Sequence, residues 1–249
     1  MKVVAVIPAR YGSSRFPGKP MALILHKPMV QRVYERVSAV NNIDRVVVAT
    51  DHQEIYDLVK SFHGEVVMTK KTHESGSDRM AEVSTKIDGD IFLNVQGDEP
   101  LINPKLIQEI VESSKKNKDS VITAKKAIKD VGDISNPHVV KVISTPAEDA
   151  IYFSRSPIPY NRSNDEITYY KHLGIYCYPK DILQSFVKLP KSNYEQVEML
   201  EQLRLLESGY KIKVLETNYD SIGVDTPEDI IKIERLLEEN EHVRNSEVK

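Results

Sequence analysis

The sequence predicts an α/β fold in which a mostly parallel sheet is flanked by helices and carries a smaller antiparallel elaboration. From Val3 to Pro100, apolar runs of strand length alternate with stretches of helical periodicity, the pattern of parallel strands joined by right-handed crossovers. Several runs end in charged or polar residues, and in such sheets ligands gather outside the carboxyl ends of the strands. With 249 residues, 40% hydrophobic and 29% charged, the chain can bury a large core, and residues 1–249 read as one domain with an elaboration at about 124–190.

The opening apolar run, Val3 to Ile7, is a buried strand ended by Pro8. "PMVQRVYERVSAV" then spaces Met29, Val33, Val37 and Val40 as a helix, and "RVVVATD" returns to a strand that ends at Asp51. "HQEIYDLVKSFHG" is expected to be a helix stopped by Gly64, followed by strand "EVVMT", helix "SGSDRMAEVSTKI" and strand "DIFLNVQGDEP". Asn103 as N-cap and Pro104 at the first position start the next helix, which closes on a basic last turn. Short strands "VVKVIS", "AIYFSRS" and "HLGIYCY", separated by polar turns, make the elaboration. "YEQVEMLEQLRLLESG" predicts one amphipathic helix ended by Gly209, "YKIKVLET" a strand, and "TPEDIIKIERLLEEN" the last helix, with Thr226 as N-cap and Pro227 behind it.

Bulk charge excludes some partners. A net charge of −3 gives no general attraction to nucleic acid, and no apolar stretch has the length of a membrane span. The chain opens directly on a strand, without the basic region, apolar stretch and cleavage site of a secretory leader, so a cytoplasmic location is expected. The single cysteine, Cys177, sits in an apolar strand and reads as a core residue.

Anion binding must therefore come from local clusters. The loop after the first strand offers Arg10, Arg15 and Lys19, the hydroxyls of Ser13 and Ser14, and Gly12 and Gly18 to let backbone N–H groups approach an anion. It has neither the GxxxxGK[ST] nor the GxGxxG spacing. "NVQGDEP" puts Asp98 directly after a strand and a glycine, where a carboxylate can share magnesium with phosphate oxygens. In "VDTPED" the helix start accounts for Thr226 to Asp229 and leaves Asp225 unexplained, so a second metal-binding aspartate is expected there, converging with Asp98.

Together, "IPARYGSSRFPGKP", "ATD", "SGSDR", "NVQGDEP", "NPHVVKV", "YFSRSPIPY", "KHLGIYCY", "LEQLRLLESG" and "GVDTPEDI" resemble the bacterial 3-deoxy-manno-octulosonate (Kdo) cytidylyltransferases, from Val3 to about Leu237. The resemblance implies a Rossmann-like nucleotidyltransferase domain that moves CMP from CTP to the anomeric hydroxyl of an eight-carbon 3-deoxy-ulosonate and releases pyrophosphate. It implies that Arg10, Gly12, Ser13, Ser14, Arg15 and Lys19 wrap the triphosphate, with Arg79 and Gln96 positioning the nucleotide and Lys19, Arg15, Asp98 and Asp225 serving catalysis. Asp98 and Asp225 would hold magnesium, and Arg155, His172, Tyr176, Glu201 and Gln202 would line the sugar site. It also implies a homodimer and a role in lipopolysaccharide synthesis. Kdo or its 8-amino analogue both remain possible substrates. Another acid sugar, or a catalytically silent nucleotide-binding module, are the rival readings.

Overall fold

The computed structural model describes residues 1–12, 16–220 and 222–247, with side chains of the last helix described to 239. β1 (Val3–Ala9) leads through a 3-10 turn at Lys19–Met21 and a small hairpin, β2 (Leu23–Ile24) and β3 (Lys27–Pro28), to α1 (Met29–Ser38). β4 (Arg45–Thr50), α2 (Gln53–Ser61), β5 (Val66–Met68), α3 (Gly76–Lys86), β6 (Ile91–Asn94) and α4 (Pro104–Lys116) continue the alternation. Next come β7 (Ser120–Ala127), α5 (Val131–Ser135), β8 (Lys141–Ser144), β9 (Ala150–Ser154) and β10 (Tyr170–Pro179). α6 (Lys180–Phe186), α7 (Asn193–Glu198), α8 (Gln202–Glu207), β11 (Lys211–Glu216) and α9 (Pro227–Glu247) complete the chain.

The main path of the sheet runs β11-β7-β10-β6-β1-β4-β5, with β8 and β9 attached at β10. β1 pairs in parallel with β4 and β6, β4 with β5, and β7 with β11, whereas β10 is antiparallel to both β6 and β7. The fold is therefore mostly parallel, with β10 as the reversed strand inside it. β1 lies between two neighbours and under helices on both faces, which is why its sequence is continuously apolar rather than alternating. Val3, Ala5 and Ile7 pack toward Val33, Val37, Val59 and Ile107, while Val4 and Val6 pack toward Met80, Val83, Leu183 and Leu203. Those two apolar layers are the core. Cys177 is buried within it, and burial pushes its thiol up to about 12, so the core reading of this residue stands.

One local expectation holds with a shifted turn and one is corrected. α2 ends at Ser61, His63 takes the left-handed conformation at φ 61°, and the Gly64 amide closes the helix end by donating to the Val59 carbonyl at 2.9 Å. The amphipathic run expected as one helix is two, α7 and α8, broken where Met199 adopts φ 54°. Periodicity survives a break of one turn, so the sequence pattern did not reveal it. Gly209, at φ 78°, does follow the end of α8. Asn103 caps α4 by accepting from the Lys105 amide at 2.8 Å, and Asp229 accepts from the amides of Asp225 and Thr226, both at 2.9 Å, at the start of α9. Among the described residues no helix is long and apolar enough to cross a membrane.

Candidate active site

The carboxyl ends of β1 and β6 open onto a cleft of about 370 Å³ lined by Arg10, Gly12, Lys19, Arg79, Gln96, Asp98 and Asp225, among others. The loop after β1 is closed at its base: the Gly18 amide donates to the Tyr11 carbonyl at 2.9 Å, and Gly18 takes φ 70°. The Tyr11 ring stacks on His52, which follows β4, with centroids 4.0 Å apart and planes 19° from parallel. Arg10 and Gly12 are exposed at the cleft. Ser13, Ser14 and Arg15 lie outside the described residues.

Lys19 is more deeply held than a cation on an open loop. Its side chain is 14% exposed, and Nζ donates to Asp98 Oδ2 at 2.6 Å and to the Val224 carbonyl at 2.8 Å, with Asp225 Oδ1 at 3.9 Å. Asp98 and Asp225 come together because the Val224 amide donates to the Asp98 carbonyl at 2.9 Å, lacing the segment before α9 to the end of β6. The turn between them is tight. A Cβ at Gly97 would lie 2.6 Å from the Pro8 carbonyl oxygen, so only glycine lets β6 turn against β1 here.

The helix-entry role of Asp225 uses its amide and leaves its carboxylate 60% exposed at the cleft. Two carboxylates are the usual protein share of a magnesium site completed by phosphate oxygens and water. The Lys19 ammonium, within ion-pair distance of both, marks a point where one cation serves the pair. Among the described residues, no group of three or more His, Cys, Asp or Glu side chains forms a fuller metal cage.

Arg79 is wholly buried under the cleft. Its guanidinium donates through Nη2 to Asp51 Oδ2 at 2.8 Å and through Nη1 to Thr69 Oγ1, while among the described residues Nε has no partner. Asp51 was visible only as a carboxylate at a strand end, and its pairing with Arg79 is what fixes the floor of the site. Gln96 bridges to β10, its Nε2 donating to the Gly174 carbonyl at 3.3 Å.

Beyond Gln96 lies a partly buried polar layer. Tyr176 pairs with Asn94 across β10 and β6; the Tyr176 hydroxyl is buried beside Thr123, and Asn94 Oδ1 is buried without a partner among the described residues. Burial drives the Tyr176 phenol well above its ordinary range. The His172 ring lies 5.3 Å from Tyr176, and burial lowers its pKa to about 3, so it is neutral at physiological pH. Glu201 Oε1 accepts from Ser77 Oγ at 2.5 Å, and burial raises the Glu201 pKa despite that bond. Gln202 is buried beside it at the start of α8, so this pair is not on an exposed helix face.

Arg155 sits apart from that layer. Nε donates to the Glu198 carbonyl at 2.7 Å and Nη1 to the Pro137 carbonyl at 2.9 Å, so the guanidinium ties the end of α7 to the loop before β8. The residues that sequence reasoning passed over, Asp51, Thr69, Ser77 and Asn94, are partners of side chains it did select or neighbours of them across the sheet. Only Asp51 carried a sequence signal, its place after a strand.

The cytidylyltransferase family matches residues 4–212 of the chain. The 3-deoxy-manno-octulosonate cytidylyltransferase of Syntrophotalea carbinolica is 49% identical, with 95% of this chain and 99% of that protein covered. The enzyme of the same name from Escherichia coli is 44% identical, over 95% of this chain and 96% of that one. This chain belongs to that family. A solved structure of a CMP:2-keto-3-deoxy-manno-octonic acid synthetase complexed with CTP superposes with a TM-score of 0.93 at 44% identity, covering 96% of this chain and all of that one. As a 3-deoxy-manno-octulosonate cytidylyltransferase family member, the chain keeps that fold through the cleft and the polar layer beside it. The 4-diphosphocytidyl-2C-methyl-D-erythritol synthase of Anaerococcus prevotii, 17% identical with a TM-score of 0.62, shares the fold.

Proposed function

We propose that this protein transfers CMP from CTP to the anomeric hydroxyl of 3-deoxy-D-manno-octulosonate, forming CMP-Kdo and pyrophosphate for lipopolysaccharide synthesis. The observation that carries the reading is the meeting of Lys19, Asp98 and Asp225 at the mouth of the cleft, whose wall residue Gln96 bonds β10, the strand that carries His172 and Tyr176. In the reaction the hydroxyl loses its proton to water, a bond forms from its oxygen to the α-phosphorus, and the bond from that phosphorus to the leaving pyrophosphate breaks. Such a transfer is governed by in-line positioning and by neutralising charge on the phosphates.

Arg10 and Lys19 supply fixed positive charge on the phosphate side, with Ser13, Ser14 and Arg15 assigned to the same wrap by family likeness. Arg79 and Gln96 orient the nucleotide from the cleft floor and wall. Asp98 and Asp225 would hold magnesium, which when bound supplies Lewis-acid charge neutralisation between triphosphate and sugar acid. Tyr176, His172, Glu201 and Gln202 present hydrogen-bonding groups to the sugar. Arg155 shapes that side by fixing the end of α7, which leads through Met199 to Glu201 and Gln202.

A homodimer and a cytoplasmic location belong to the same reading. Tyr194 and Val197 on α7, with Met199 just after it, are exposed large apolar residues beside the elaboration, and a second copy of the chain is the proposed occupant of that helix face. The function is tested by mass spectrometry of products from CTP and magnesium with Kdo and with its 8-amino analogue, side by side. CMP-Kdo and stoichiometric pyrophosphate are expected. Conversion of the 8-amino sugar alone, or of a different acid sugar alone, overturns the sugar assignment, and no pyrophosphate with any sugar overturns the enzyme.

A further inference from the structure

Thr123 on β7 is wholly buried, and its hydroxyl faces β10, beside the Tyr176 hydroxyl and within hydrogen-bond distance of three further atoms. Nε2 of His172 lies at 3.0 Å, the Leu173 carbonyl oxygen at 3.1 Å and the Ile175 carbonyl oxygen at 2.8 Å. A hydroxyl has one proton and two lone pairs, and a carbonyl can only accept. Giving the proton to His172 would leave hydroxyl lone pairs facing two carbonyl oxygens in a buried site. The proton therefore goes to the carbonyls, of which Ile175 is nearer. Only lone pairs are then left for His172, and Nε2 must carry a hydrogen to meet them.

The geometry depends on an irregularity in β10. Its pairing with β7 shifts register between Leu173 and Cys177, and Thr123 faces the carbonyls inside that bulge. The same bulge brings Gly174 to Gln96 and Tyr176 to the polar layer. The His172 ring is fixed from other sides as well: its backbone amide donates to the Val140 carbonyl at 2.8 Å, and the ring meets Phe153 edge-on with centroids 5.0 Å apart. Nδ1 makes no hydrogen bond among the described residues.

We propose that Thr123 is a positioning residue that locks His172 in its neutral Nε2–H tautomer, so that Nδ1 accepts a hydrogen bond from a hydroxyl of the sugar acid. His172 then reads a sugar hydroxyl and does not pair as a cation with the sugar carboxylate. The acceptor role rests on the sugar-site reading above, whereas the tautomer does not. The strong lowering of the His172 pKa by burial agrees with a ring that stays neutral.

The test labels the histidines of the full-length protein with ¹⁵N and records long-range proton–nitrogen correlations at neutral pH without substrate. His172→Asn assigns the signal among the seven histidines. The expected wild-type spectrum shows a protonated Nε2 and a pyridine-like Nδ1. Thr123→Val, near in shape but without the hydroxyl, should disturb that tautomer and raise the sugar KM about tenfold while the CTP KM stays within about twofold. Thr123→Ser should restore both, and it keeps the question answerable if the valine variant folds poorly. An Nδ1–H ring or an imidazolium in the wild type overturns the tautomer, whatever the kinetics. An unchanged sugar KM in folded Thr123→Val overturns the positioning role. If His172→Asn itself leaves the sugar KM unchanged, the acceptor role falls together with the sugar-site reading, and the tautomer is judged by the spectrum alone.

Discussion

Replacing Lys19 by alanine should damage both stability and turnover, because its ammonium has two separable tasks. In the free protein it bonds Asp98 at 2.6 Å and the Val224 carbonyl at 2.8 Å, and its side chain is only 14% exposed. Hydrogen bonds to a charged group contribute roughly 1.5–3 kcal/mol each where well buried, but Asp98 regains water when released, so a net loss of about 2 kcal/mol is expected. For a chain of this size that is roughly 4–8 °C in Tm. In the proposed reaction the same group neutralises charge on the phosphates of CTP, and removing one such preorganised contact should lower turnover about 10²- to 10³-fold. Urea denaturation followed by Tyr fluorescence measures the first effect, and pyrophosphate release with saturating CTP and Kdo measures the second. Wild-type turnover in a destabilised variant would reduce Lys19 to a strap between β6 and the segment before α9. Unchanged stability would refute the clamp.

Gly97→Ala puts a methyl 2.6 Å from the Pro8 carbonyl oxygen, so it should lower stability by about 1–3 kcal/mol and raise the KM for CTP; a variant with wild-type melting contradicts the close approach. His172 has a folded pKa lowered to about 3 against about 6.5 unfolded, so the unfolded chain alone takes up its proton as pH falls through 6.5. Stability present above pH 6.5 should therefore be lost by about 2 kcal/mol between pH 7 and 5. The difference in that slope between wild type and His172→Asn isolates it, and equal slopes would contradict a neutral buried ring. Val197, 82% exposed on α7, should tolerate charge in a monomer, so Val197→Glu is expected to weaken self-association in sedimentation without changing Tm at low concentration. An unchanged sedimentation coefficient removes this face from the dimer.

The sequence reveals the parts of the fold that depend on near neighbours. α1 and α4 announce themselves by apolar spacing and, for α4, by the Asn103 and Pro104 start, and β1 by an unbroken apolar run that reflects burial on both faces. The convergence of Asp98 and Asp225 was legible in part, since Asp98 follows β6, where a parallel sheet collects its ligands. The run before Asp225 reads as a strand in sequence and forms none among the described residues, and Lys19 reaches the pair from the 3-10 turn at the end of the loop after β1. Features made by contact across the sheet were not legible. Nothing near Thr123 in sequence indicates the bulge it fills, and nothing near Arg79 indicates that Asp51 and Thr69 will hold it. Glu201 and Gln202 look like the polar face of a helix, but the left-handed turn at Met199 redirects them inward.

In the proposed function Asp98 and Asp225, more than a hundred residues apart and lying 2.6 and 3.9 Å from Lys19 Nζ, form one metal and triphosphate centre with that lysine. Asn keeps an oxygen ligand and removes a charge, and the Asp225 carboxylate is 60% exposed, so Asp225→Asn should fold like wild type. Magnesium titration of pyrophosphate release, with CTP and Kdo saturating, should show the half-maximal metal concentration raised about tenfold or more in both Asp98→Asn and Asp225→Asn, with lowered turnover. If Asp225→Asn matches wild type in metal dependence and turnover while Asp98→Asn does not, Asp225 serves only the entry to α9 and the shared centre is contradicted.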